Sequence, residues 1–179
     1  MKKFFYLSVM VLMATLTLTS CGDDDKKDEP QPQPQNPKSV VYNVSVKFEG
    51  DLLDICDVTM VYKDGDGKTV TETVTSQNWS KKVTVNKLPA VVGAKCNFKL
   101  KEGIQLTKDK YDVVANLYQY LTIDGKDLAG ADQPLTIVGG YGVKTDKLAD
   151  YISRKSGSMI YGYEIAANGA NVTTNNITF

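Results

Sequence analysis

The chain has 179 residues, 42% hydrophobic and 23% charged, with 21 basic and 21 acidic side chains and no histidine. Balanced charge without a clustered basic footprint gives no reason to expect nucleic acid as a partner. The lack of histidine removes the commonest general base, the commonest transition-metal ligand and every Ser-His or Cys-His nucleophile pair, so the expectation is a noncatalytic protein without metal or cofactor.

The chain opens with Met1-Lys2-Lys3, continues in an apolar run from Phe4 to Leu18, and reaches Leu18-Thr19-Ser20-Cys21. A basic start, a short apolar stretch and small residues before a cleavage point make residues 1–20 a secretory signal. The run is too short for a membrane span, which needs about 20 apolar residues. The Leu-Thr-Ser-Cys box resembles the signal peptidase II lipobox. That resemblance implies that Cys21 becomes the lipidated first residue of the mature chain, tethered to a membrane by two or three acyl chains.

Residues 21–38 follow as a tether, with Asp23, Asp24, Asp25, Asp28 and Glu29 ahead of alternating prolines and glutamines. With no large apolar side chain, this stretch cannot offset its ordering entropy, and its prolines favour an extended spacer. The acidic cluster directly after the cysteine is similar to the export signal of surface lipoproteins in the Bacteroidota. It implies the outer leaflet of the outer membrane, at the cell surface. Residues 39–179 then carry 16 charges of each sign and fit one domain of ordinary size.

From Val40 the pattern has period two, with Tyr42, Val44, Val46 and Phe48 on one face. A second strand through Val58–Lys63 and a threonine-valine run from Thr69 flank Asp64-Gly65-Asp66-Gly67, a hairpin signal. Asn78-Trp79-Ser80 reads as a turn, Lys82–Val85 as a short strand and Leu88–Gly93 as a connector. A strand from Ala94 to Lys101 follows. The longest strand candidate is Tyr111–Ile123: Val113, Ala115, Leu117, Leu121 and Ile123 form an apolar face broken only by Gln119, with Tyr118 and Tyr120 on the opposite side. Leu135–Val138 is a short strand, Gly139–Gly142 a loop, and Thr145 the N-cap of one short helix closed by Gly157. Met159–Ile165 and Asn171–Phe179 give the last strands. Seven or eight short strands with one late helix predict an all-β, antiparallel, immunoglobulin-like β-sandwich.

Cys56 and Cys96 each share strand parity with apolar residues, and an unstrained bridge between them would add about 3–4 kcal/mol. Two buried free thiols fit the parity equally well. The order Cys56, Trp79, Cys96 is similar to that of an immunoglobulin domain, in which a strand-C tryptophan packs on an inter-sheet bridge. Here Cys96 falls on the fifth strand rather than the sixth, and Ala94 stands where the corner tyrosine belongs. The sandwich is therefore expected without the strict family.

Asp64 and Asp66 occupy the first and third places of a calcium loop, but Lys68 in the fifth place repels a cation, leaving a hairpin turn. Gly139–Thr145 lacks the glycine that a phosphate loop needs before Lys144-Thr145. Tyr118 and Tyr120 are the binding candidates, as stacking surfaces for sugar rings or anchors for a protein. The lone helix needs somewhere to bury its apolar stripe, and packing over these tyrosines is the competing expectation.

The segments Tyr62–Ser80 and Leu106–Asp112 resemble those of small surface lipoproteins of gut Bacteroidota. The resemblance implies a tethered β-sandwich and supplies no activity. The expected role is a lipid-anchored envelope or surface binding module, with glycan or a neighbouring outer-membrane protein as partner. A structural lipoprotein contributing its β-domain to a larger envelope complex is the alternative.

Overall fold

The computed structural model describes residues 36–128 and 133–179. The signal, Cys21 and most of the spacer lie outside the described residues. Ten strands and two helices follow in order: β1 Val40–Gly50, α1 Leu52–Ile55, β2 Cys56–Lys63, β3 Thr69–Thr73, β4 Asn78–Thr84, β5 Ala90–Leu100, β6 Lys110–Ile123, β7 Lys126–Asp127, β8 Leu135–Lys144, α2 Thr145–Lys155, β9 Ile160–Ile165 and β10 Asn171–Thr174.

They form two five-stranded antiparallel sheets. The first runs β4-β1-β6, with β8 and β7 sharing the far edge of β6; the second runs β10-β9-β5-β2-β3. Alternation along each strand drives this arrangement, because the two apolar faces leave water only by stacking on one another. Tyr42, Val44, Val46 and Phe48 of β1 meet Val58, Met60, Ala94, Cys96 and Phe98 of the second sheet in one buried cluster.

The expected all-β sandwich is what forms, and its first five strands follow the immunoglobulin path. β1, β2, β3, β4 and β5 pair as strands B, C, C′, E and F do in that fold. Then β6 leaves the second sheet and lies against β1, where strand A would be, while β9 takes the place beside β5. This topology decides the cysteine question. Cys56 and Cys96 lie on neighbouring strands of one sheet, with Cys56 opposite Leu100 and Cys96 opposite Met60. A four-residue offset is about 13 Å along a strand, beyond the reach of a disulfide. Both remain free and buried.

Several boundaries differ from the sequence expectation. Trp79 is not in a turn but inside β4, opposite Val46. The expected connector at Leu88–Gly93 becomes strand from Ala90, paired with β9. The expected loop at Gly139–Gly142 belongs to β8, and Gly140 is packed so tightly that a Cβ there would lie 2.7 Å from Tyr151 and 2.8 Å from Val113. Strand pairing of the last segment stops at Thr174 rather than continuing to Phe179.

The open sides of the sandwich are closed in two ways. On one side Glu72 of β3 accepts hydrogen bonds from Tyr62 Oη at 2.8 Å and from Trp79 Nε1 at 3.2 Å, and pairs with Lys81 Nζ at 2.7 Å. Trp79 and Lys81 come from the other sheet, so this carboxylate bridges the two. On the other side α2 packs between β5 and β8 and buries Leu148 and Ile152 in the common core. Beyond Lys95, β5 has lost β9 as neighbour, and the helix end supplies replacements: Gly157 N donates to Cys96 O, and Phe98 N donates to Ser156 Oγ. Gly157 closes the helix at φ +63°. Thr145 starts the helix without a side-chain cap; its hydroxyl donates to Lys108 O instead.

Candidate functional site

β6 runs through the middle of the first sheet, and its register on β1 fixes what faces outward. Tyr120 lies opposite Asn43 and Tyr118 opposite Ser45. Across β1, Asn43 is opposite Lys82 and Ser45 opposite Ser80. Directly opposed residues share a face, so two rows result on the outer surface: Lys82, Asn43, Tyr120, and Ser80, Ser45, Tyr118. The next row holds Asn78, Lys47 and Asn116.

α2 does not cover these tyrosines. Its apolar stripe is consumed at the β5–β8 side, so the expectation that the helix buries Tyr118 and Tyr120 with Leu148 and Ile152 is overturned. Both rings are partly exposed and line a shallow groove of about 380 Å³ with Asn43, Ser45, Ser80 and Lys82. Asn43 forms the floor at 6% exposure, held by a hydrogen bond from its Nδ2 to Thr122 Oγ1 at 2.9 Å. Thr122 in turn donates to Asp127 Oδ1 at 2.6 Å. The site offers two tyrosines whose backbone positions are about 7 Å apart along the strand, a fixed amide, two serine hydroxyls and the Lys82 ammonium. Such a set stacks on and hydrogen-bonds to a polar ring; it contains no nucleophile–base pair.

The opposite face of Tyr118 and Tyr120 explains their placement. Gln119, the polar break in the inner face, is buried and accepts a hydrogen bond at its Oε1 from Tyr42 Oη at 2.9 Å. Tyr163 Oη donates to the Gln119 carbonyl at 3.3 Å, and its ring meets that of Tyr42 edge-on at 6.2 Å. Burial, and then the neighbouring Tyr163, pushes the Tyr42 hydroxyl well above its ordinary pKa, so it stays a neutral donor.

The other sequence candidates take structural roles. Asp64 Oδ1 accepts from Asp66 N at 3.0 Å and Lys68 N at 2.8 Å, and Asp66 Oδ1 accepts from Asn86 Nδ2 at 2.7 Å. Asp64 is therefore spent on the β2–β3 turn, and Asp66 on tying that turn to Asn86 in the β4–β5 connection. No group of three or more potential metal ligands occurs among the described residues. Burial pushes the Cys56 thiol up to about 12 and the Cys96 thiol higher still, so neither is a nucleophile at neutral pH.

Three exposed features escaped the sequence reading. Tyr141, inside the glycine run, is 73% exposed, and Gly142 beside it bends at φ +60°. Val172 and Val91 lie on either side of Glu164 in one outer row of the second sheet, at 61% and 41% exposure. Period-two alternation was the signal for Val172, but an apolar residue on a solvent face cannot be told from a core residue without the register. The third is the C-terminal segment, which lies on the outer face of the second sheet. There Ile177 fills the hollow left by the opposed pair Gly93 and Gly162, and Phe179 sits beneath the ammonium groups of Lys63 and Lys95.

The described domain is thus an all-β sandwich of two antiparallel sheets, with a polar-aromatic groove on one outer face. Comparison with protein-family models, with curated proteins and with solved structures returns no match for this chain.

Proposed function

We propose that the chain is a noncatalytic binding module, held at the outer membrane and displayed at the cell surface through lipid on Cys21, that takes glycan on the Tyr118–Tyr120 face. The observation that carries this reading is the pair of partly exposed tyrosines in an outer-face groove, bordered by Asn43, Ser45 and Lys82 and left uncovered by α2. Aromatic faces stack on the apolar side of a sugar ring while nearby amides and hydroxyls meet its hydroxyl groups. The absence of histidine from the sequence and the sequestered state of both sandwich thiols support a role without catalysis. The test is a polysaccharide screen with the wild type and with Tyr118→Ala and Tyr120→Ala. Binding that each substitution weakens supports the reading; binding unchanged in both variants, or no binding at all, refutes it.

A structural role in a larger envelope complex has its own supporting observation, the exposed apolar shelf of Val91 and Val172 beside Pro89 and Ala166. Crosslinking on intact cells separates the two, because a module that binds only glycan gives no specific protein adduct. The anchor is tested by Cys21→Ala: the variant is expected to leave the membrane fraction and to take up no labelled fatty acid.

A further inference from the structure

The groove has an electrostatic sign that its hydrogen-bonding groups alone do not reveal. Its lining includes Lys82 and no carboxylate. Lys81 also lines it, but the Lys81 ammonium is engaged with Glu72 on the inner side. In the next row Lys47 pairs with Glu49. Lys82, by contrast, is exposed and makes no ion pair among the described residues. Asp127, on the Val41–Thr122 row beyond Asn43, has an oxygen already taken by the Thr122 hydroxyl.

Register places Lys82 and Tyr120 on either side of Asn43 in a single row. Adjacent strands are about 4.8 Å apart, so the lysine backbone stands about 10 Å from that of the tyrosine. A sugar ring stacked on Tyr120 has Asn43 beneath its near edge and a flexible ammonium beyond it. Neutral sugars give that ammonium only a hydroxyl to bond; a carboxylate or sulfate on the ring edge gives it a charge-assisted partner.

We propose that the glycan taken on this face is acidic and that Lys82 is the residue that selects it. The proposal rests on the glycan-binding reading above and adds a charge requirement to it. One exposed ion pair corresponds to a preference of about fivefold or less for each sugar engaged, and it weakens as salt screens the pair.

The test uses the lipid-free Cys21→Ala chain in affinity gel electrophoresis against matched pairs of polymers. Polygalacturonate is set against its methyl ester, hyaluronan against its methyl ester, and a sulfated galactan against its desulfated form. A single-stranded oligonucleotide serves as a polyanion that is not a glycan. Expected is retardation by at least one acidic member that exceeds its neutral partner by about fivefold at low salt. That excess is lost in Lys82→Gln, while residual binding to the neutral partner persists and is reduced by Tyr118→Ala. Equal retardation by both members of every pair, or an excess untouched by Lys82→Gln, overturns the charge requirement and leaves glycan binding standing. Retardation by no polymer overturns both. Binding to the oligonucleotide equal to that of the best acidic glycan overturns the proposal by replacing selectivity for sugar with a general attraction to polyanions. A thermal melt of Lys82→Gln matching the wild type shows that any loss is one of recognition.

Discussion

Tyr42 and Gln119 are diagonal neighbours on the inner face of the β1–β6 pair, and their hydrogen bond is the clearest place to test the fold energetically. Tyr42→Phe removes one hydroxyl from a position with no measurable exposure and leaves Gln119 Oε1 without its donor. Folding then carries the desolvation of an orphaned carbonyl oxygen, about 1–3 kcal/mol. Gln119→Leu strands the Tyr42 hydroxyl in the same way and at a similar cost. The double variant Tyr42→Phe/Gln119→Leu strands neither, and apolar replacement of both partners is near neutral. The two single losses therefore should not add. Urea denaturation is expected to show each single variant about 1–3 kcal/mol below wild type and the double variant within about 1 kcal/mol of it. A double variant that loses the sum of the singles refutes the pairing, and with it the β1–β6 register on which the outer groove depends.

Three further outcomes follow from the packing. Gly162→Ala drives a methyl into the Val92 carbonyl oxygen, and places it 2.5 Å from Ile177 Cδ1 and 2.7 Å from Gly93 Cα. A loss of about 1–3 kcal/mol on denaturation is expected from this overpacking, and an unchanged midpoint would contradict the close β5–β9 pairing at Gly93 and Gly162. In a Cys21→Ala background, Cys56 and Cys96 should ignore a thiol reagent in the native state and react together in denaturant; a mass change on reduction would reveal a bridge the register forbids. Burial raises the Glu72 pKa, but the bonds from Lys81, Tyr62 and Trp79 outweigh it and hold it below its ordinary 4.5; the Lys108 bond, against a smaller desolvation, holds Asp51 below 3.8. Both contribute stability that is fully present above those ordinary values and is lost as pH falls through the lower folded ones. Melting temperature should thus be level above about pH 5 and fall toward pH 3, with Glu72→Gln showing a lower plateau and a shallower fall.

Period-two alternation made β1, β2, β5 and β6 legible, because each has one face in the core and one in water. Where that contrast fails, the sequence misleads. Trp79 lies on an edge strand between exposed Asn78 and Ser80, with Lys81 and Lys82 following, so polar neighbours on both sides hid the strand. Gly139 and Gly140 looked like a loop because glycine usually marks one; here the register shift between Tyr111 and Val113 and the approach of Val113, Val143 and Tyr151 leave no room for a side chain at Gly140. The groove was half legible: parity put Tyr118 and Tyr120 on one face, but Asn43, Ser45 and Lys82 join them only through pairings 39 to 77 residues distant, which no local pattern encodes. The fate of α2 was hidden for the same reason, since its stripe could serve either a sheet face or an open side.

The buried polar pair and the exposed aromatic pair are linked through one strand. A slip of β6 by one residue against β1 would turn Tyr118 and Tyr120 inward and expose Leu117 and Leu121, so burial alone forbids it. A slip by two residues keeps every side chain on its proper face, and apolar patterning cannot reject it. Gln119 rejects one direction of that slip. In the native register its amide reaches the Tyr42 hydroxyl on the neighbouring diagonal; the slip that sets Tyr42 opposite Ile123 and Gln119 opposite Val46 would bury both polar groups unpaired, a cost of about 1–3 kcal/mol for each. That same shift would carry Tyr120 away from Asn43 and dismantle the row that ends at Lys82. The residue that breaks the apolar face of β6 therefore also helps to align the outer face, which gives a physical reason for a glutamine to sit in the core.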